Sequence, residues 1–228
     1  MTADLSRGAL ILQHGADGPP GVLGSWLADR GIQAHVVDLK EDARAAPDPA
    51  GYAFVASLGS ECSINDGAPW IGAEQRAVRR AIERDVPVLG LCFGGQSLAV
   101  ALGGEVSRLP EPEIGWLEVE TDDPAIVPAG PWLQYHEERF SVPPGGVELA
   151  RRPTGPQAFR HGRHLGLQFH PEATAEIVAM WIDSDPRLES WGIDRVAFRA
   201  DGAELEARAS EQARRLFDAW LAGWSASP

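Results

Sequence analysis

Four short apolar runs set the rhythm of the first part of the chain: Ala9–Leu12, Ile32–Leu39, Tyr52–Leu58 and Val86–Leu91. Each is aliphatic and closed by Gly or polar residues, which predicts buried parallel strands. Between them the spacing turns helical. Val22, Leu23, Trp26 and Leu27 form one stripe ahead of Gly31. In Glu74–Arg84, Ala77, Val78, Ala81 and Ile82 share one face, and the charged side reads as solvated. Strand and helix in alternation predict βαβ units and an open parallel sheet flanked by helices.

From Gly104 to about Gln168 the character changes. Gly and Pro punctuate short alternating runs, such as Trp116–Glu120 and Gly166–Phe169, which predict antiparallel strands and hairpins, one of them around His161-Gly162. The closing stretches Ala173–Ile182 and Ala203–Trp224 are helical. In the second, Leu205, Ala209, Ala213, Leu216, Phe217 and Trp220 make an apolar stripe. The expectation is one α/β domain over residues 1–185, with a helical extension, 186–228, packed on it.

Composition narrows the function classes. The 228 residues carry 20 basic against 33 acidic side chains, a net charge of −13, and one lysine, Lys40. A duplex nucleic-acid partner or an anionic membrane surface calls for a cationic face that this chain lacks. No apolar run approaches the roughly 18 residues of a spanning helix. The polar start Met1–Arg7 and the short run Gly8–Leu12 carry no secretory pattern, so the expected location is cytoplasmic. Two cysteines, Cys62 and Cys92, make no disulfide framework.

Candidate chemistry concentrates in Pro87–Gln96, where a strand runs into Cys92, glycines follow at once and a helix begins near Gln96. This is the arrangement of a nucleophile elbow: a side chain on a sharp strand-to-helix turn, with small neighbours relieving the crowded backbone. The helix N-terminus favours a thiolate, and the Phe93 N–H would serve a developing oxyanion. A buried structural cysteine is the alternative reading. A thiol nucleophile needs a base, and the base needs an orienting group. Gln168-Phe169-His170-Pro171-Glu172 supplies both, with His170 and Glu172 two apart and on one face if extended.

These two segments, with 78 residues from Cys92 to His170, resemble the class I (triad) glutamine amidotransferases, and within them the GMP-synthase-like group. Leu58–Asp66, Ile114-Gly115-Trp116, Trp132–His136 and Gly166–Gln168 match as well, so the likeness covers about three-quarters of the chain. The resemblance implies an α/β, flavodoxin-like open sheet with added antiparallel strands and a C-terminal helical tail. It implies hydrolysis of the side-chain amide of L-glutamine to glutamate and ammonia through a γ-glutamyl thioester. Cys92 would be the nucleophile, His170 base and then acid, and Glu172 the orienting carboxylate. Backbone oxyanion donors would come from Phe93 and from the Gly59-Ser60 turn, although the family's Gly-Gly-Pro is here Gly59-Ser60-Glu61. Gln96 would help hold the substrate, and Tyr135 and His136 are further substrate-binding candidates.

No cofactor is expected. His161 and His164 have no nearby carboxylate or Cys and suit a hairpin turn rather than a metal. Cys62 reads as a small core or loop residue, and Trp116, Trp132 and Trp181 as packing. Without a second catalytic segment or a P-loop in the sequence, an unidentified ammonia acceptor is expected from a separate protein, such as a synthase subunit, or from free substrate. The same triad would also serve a γ-glutamyl hydrolase acting on γ-glutamyl amines or peptides, and a catalytically silent regulatory domain is a third reading.

Overall fold

The computed structural model describes residues 4–44 and 46–224. Among these residues nine strands form one sheet: β1 (Ala9–Gln13), β2 (Ala34–Asp38), β3 (Phe54–Ser57), β4 (Val88–Leu91), β5 (Val106–Thr121), β6 (Gly130–Phe140), β7 (Val147–Arg152), β8 (Gly155–His161) and β9 (His164–Leu167). Their order is β2-β1-β3-β4-β9-β8-β7-β5-β6. The first five are mutually parallel and the rest join antiparallel. The parallel half repeats the flavodoxin-like order, with β9 in the fifth place, so the fold is the α/β architecture expected. Among the described residues six α-helices flank it: α1 (Gly21–Asp29), α2 (Pro69–Glu83), α3 (Phe93–Ala101), α4 (Ala175–Ser184), α5 (Arg187–Ser190) and α6 (Arg195–Gly223).

Alternation along the strands sends side chains into two separate cores. Ala9 and Ile11 of β1 join Phe54, Ala56, Leu89 and Leu91 on the face covered by α1 and α6, where Trp26, Phe217 and Trp220 pack. Leu10, Leu12, Val55 and Val88 point the other way, under Trp70 and Val78 of α2 and Phe93 of α3. Trp26 is wholly buried, and truncating it to Ala removes about 3–5 kcal/mol. On α6 the stripe Ala213, Leu216, Phe217 and Trp220 enters the same core as β1 and β3.

Several expectations need correction. β2 is an edge strand, and its Ala34, His35 and Val36 are exposed rather than buried. β9 is antiparallel only to β8; its other neighbour is β4, to which it runs parallel. α2 opens at Pro69, whose missing N–H is no loss in a first turn. Glu74, read as part of a solvated face, is completely buried on α2. α3 opens at Phe93, ahead of Gln96. α6 reaches back to Arg195 because the Asp194 carboxylate accepts from the N–H groups of Val196 and Ala197 at 2.9 and 3.1 Å. The His161–His164 pair does close a two-residue turn between β8 and β9.

Candidate active site

Four chain segments leave the C-terminal ends of parallel strands on one side of the sheet: His14 after β1, Gly59 after β3, Cys92 after β4 and Gln168–Glu172 after β9. This is where an open α/β sheet offers its crevice. All four meet in a cavity of about 860 Å³.

Cys92 sits at φ 50°, ψ −105°, a left-handed backbone that side chains other than Gly rarely adopt. Such a conformation costs on the order of 1–3 kcal/mol and persists only where the surroundings enforce it. Here they do. The Cys92 N–H donates to the Leu167 carbonyl at 2.9 Å, and the Gly94 N–H to the Leu58 carbonyl at 3.1 Å. The glycines of the motif are required by contact. A Cβ on Gly90 would strike the Gly94 carbonyl, one on Gly94 the Ser57 carbonyl, and one on Gly95 the Leu167 carbonyl. The thiol is thereby held at the strand-to-helix turn, 4% exposed.

His170 is fixed from the neighbouring strand end. Its N–H donates to the Leu133 carbonyl at 2.9 Å, and its ring meets Trp181 edge to face at a centroid distance of 4.8 Å. Nδ1 lies 2.8 Å from Glu172 Oε1, the orienting contact the sequence predicts. That contact is made across a turn at residues 171–172 and not along an extended strand. Glu172 is anchored through its own carbonyl, which accepts from the Val22 N–H at 2.9 Å, and Gly21 leaves no room for a side chain there. His170 Nε2 is buried and makes no hydrogen bond within the described residues. Burial opposes the imidazolium, yet the negative charge of Cys92 and then of Glu172 outweighs it and raises the His170 pKa to about 10.

Gly59 closes the space between the two. A Cβ there would lie 2.8 Å from His170 Cε1 and 3.8 Å from Cys92 Cβ, so the pair converges on one glycine. Gly59 and Ser60 both line the cavity.

The predicted substrate-binding residues also reach the cavity, with their polar atoms already engaged. Gln96 Nε2 donates to the Glu138 carbonyl at 3.4 Å, and His136 Nδ1 lies 2.9 Å from the same oxygen. Burial lowers the His136 pKa, against the pull of Glu113 3.3 Å from Nε2. The Tyr135 hydroxyl donates to Asp185 at 3.2 Å; burial and that carboxylate raise its pKa. Cys62 is a half-buried loop residue on the cavity wall.

Four contributors were not legible as such. Gln168 Nε2 lies 3.8 Å from Cys92 Sγ, a placement that its spacing of two from His170 could have suggested. Trp181, read as packing, touches His170 and donates its Nε1–H to the Asp17 carbonyl at 2.7 Å. His14 and Glu74 form a buried pair behind Gly59, joining segments 60 residues apart with no local pattern between them.

The family model for class-I glutamine amidotransferases matches residues 25–178. The chain belongs to the class-I glutamine amidotransferase family. Among curated relatives, the GMP synthase [glutamine-hydrolyzing] of Aeropyrum pernix is 32% identical over 157 residues, covering 63% of this chain and 31% of that protein. The protein of the same name from Serratia proteamaculans is 32% identical over 154 residues, covering 60% and 28%. The chain therefore matches about a third of the length of these amidotransferase relatives. A solved glutamine amidotransferase from Methylobacillus flagellatus superposes with a TM-score of 0.88 at 28% identity, over 95% of both chains. Another from Thermotoga maritima shares the fold at a TM-score of 0.86 and 23% identity, over 93% of this chain and 97% of that one. Among the described residues no helix is long and apolar enough to cross a membrane.

Proposed function

We propose that this amidotransferase chain hydrolyses the side-chain amide of L-glutamine through a Cys92 γ-glutamyl thioester. The observation that carries the reading is the buried Cys92–His170–Glu172 constellation at one strained turn. The Cys92 thiolate adds to the amide carbon, and the carbonyl pair moves onto oxygen. Backbone N–H groups of Phe93 and Ser60 receive that charge. As the tetrahedral species collapses, the C–N bond breaks and His170 Nε2–H protonates the departing nitrogen, releasing ammonia. Water then attacks the thioester, His170 takes its proton, and the C–S bond breaks to give glutamate and the thiolate. Glu172 holds the imidazole in the tautomer that both steps need.

The cavity lining carries seven carboxylates against two guanidinium groups, Arg108 and Arg187, an environment that suits the α-ammonium of a γ-glutamyl substrate. On the likeness to proteins named GMP synthase, the ammonia passes to a synthase unit, on this chain's partner or on a longer form of the chain. The cavity volume lies in the upper part of the roughly 300–1,000 Å³ of small-molecule sites. That size and the acidic lining favour a second reading, in which γ-glutamyl conjugates of cationic amines are the substrates.

The test is ammonia release from L-glutamine by the purified chain beside Cys92→Ala. The variant should lose at least about 10⁴-fold in rate. Release retained by Cys92→Ala would refute the mechanism. A γ-glutamyl diamine turned over with a kcat/KM well above that of glutamine would move the assignment to the second reading.

A further inference from the structure

A polar cluster that the triad does not include lies directly behind Gly59. His14 is 1% exposed, and its ring is held between Trp70 and Phe93 at centroid distances of 4.9 and 5.0 Å. Nδ1 lies 3.2 Å from the Gly59 carbonyl oxygen, and Nε2 lies 3.2 Å from Glu74 Oε2. The other Glu74 oxygen accepts from the Ser57 hydroxyl at 2.5 Å. Ser57 in turn packs against the first turn of α3, where a Cβ on Gly94 would lie 2.6 Å from its Oγ. The cluster therefore ties the turn after β3 to the elbow that carries Cys92.

Hydrogen-bond inventory fixes the protons. A carbonyl only accepts, so Nδ1 must carry a hydrogen. The Gly59 carbonyl is thus directed at His14. In a planar trans peptide the next N–H points opposite to the carbonyl. The Ser60 N–H accordingly points away from His14.

We propose that His14, oriented by Glu74, is a positioning residue that turns the Gly59–Ser60 peptide so that the Ser60 N–H meets the oxyanion formed when Cys92 attacks. The inference rests on the thioester reading of Cys92. It explains why Ser is acceptable at position 60: the donor is a backbone group fixed from behind, independent of the side chain it carries. It also gives a task to a buried carboxylate on a helix face whose neighbours Arg76 and Arg79 are solvated.

The test compares two amides on different stems. His14→Asn sets a side-chain N–H where Nδ1 stands; His14→Gln sets it near Nε2 and leaves the Gly59 carbonyl unpaired. Removing one oxyanion donor outright lowers kcat by about 10²–10³-fold. A misdirected donor should lower kcat of ammonia release at least about tenfold in His14→Gln, while His14→Asn stays within about threefold of wild type. KM should move less than about threefold in both. Alkylation of Cys92 by iodoacetamide, read by mass spectrometry, forms no oxyanion and should proceed at the wild-type rate. Should His14→Gln fail to fold, His14→Phe keeps the aromatic contacts and carries the same expectation. A kcat within twofold of wild type in the Gln or Phe variant overturns the proposal. So does an equal loss in Asn and Gln, or a loss matched by slower alkylation. A wild-type protein inert toward both L-glutamine and γ-glutamyl-p-nitroanilide overturns the thioester reading, and the positioning role with it.

Discussion

At the floor of the cavity the residues are anchored by their backbone: Cys92 to the Leu167 carbonyl, its neighbour Gly94 to the Leu58 carbonyl, His170 to Leu133 and Glu172 to Val22. At the rim the side chains hold one another. Glu137 accepts from Arg108 and, at 2.6 Å, from Arg187; Arg187 also pairs with Asp185 at 2.9 Å and covers Trp191 at 4.8 Å. The floor is buried and tolerates almost no added atom, whereas Arg187 is 46% exposed. Exposed ion pairs contribute little to stability, while close backbone approaches leave nothing to relax. On the proposed mechanism, the bond-making geometry lies where the fold is stiffest, and the adaptable groups lie at the rim.

Two glycines of the floor should separate folding from chemistry. Gly94→Ala places a methyl against the Ser57 carbonyl, a backbone atom within the sheet, and the expected outcome is loss of soluble folded protein on thermal melting. Gly59→Ala meets only the edge of the His170 ring, at 2.8 Å, on a backbone that is not left-handed. That variant should fold, with stability reduced by no more than about 1–3 kcal/mol. Displacing the imidazole should still lower kcat about 100-fold. Equal damage to melting temperature in the two proteins would erase the distinction.

How far the sequence alone reached follows the same line. Cys92, Gly94 and Gly95, and then His170 and Glu172, lie in contiguous motifs, and a strained turn demands its residue types locally. The parallel strands were legible because burial on both faces writes near-continuous apolar runs. β2 misled because its Val36-Val37 looks identical whether a strand is central or at an edge. Glu74 misled more deeply. On a helix with Arg76, Arg79 and Arg80 nearby it reads as surface, and only the fold brings it to His14 and Ser57. The turn joining His170 to Glu172 was masked for a related reason, since a spacing of two fits both a strand and a turn.

The floor also makes a pH prediction. Burial opposes charge on His170, while Cys92 and Glu172 raise its pKa above the ordinary 6.5 to about 10. A raised imidazole pKa means that the stability this group contributes is complete below about pH 6.5 and lost as pH rises through about 10. Ammonia release, which needs the Nε2 proton, should decline over the same alkaline range. In Cys92→Ala the dominant opposing charge is gone and burial prevails, so the His170 resonance in NMR should titrate well below its wild-type midpoint. An unchanged midpoint would mean that the thiolate does not set the charge of the base.

At the rim the expected effects are smallest. Arg187→Ala removes pairs with Glu137 and Asp185; the guanidinium is 46% exposed and the buried Asp185 keeps the residue-187 backbone N–H and the Tyr135 hydroxyl, so the melting curve should shift by only about 1 kcal/mol. Its consequence should be in binding. Arg108 and Arg187 are the two guanidinium groups among the residues lining an acidic cavity, and Arg187 lies on the α4–α5 side of it. Losing it strips the neutralising charge from Glu137 and Asp185 and weakens any hold on a substrate carboxylate. KM for glutamine should rise several-fold with kcat within about twofold, the signature of binding shared equally by ground and transition states. A fall in kcat instead would mean that the rim reaches into the chemistry, and the division between a rigid floor and an adaptable entrance would have to be redrawn at Tyr135, whose hydroxyl is the next link from Asp185 inward.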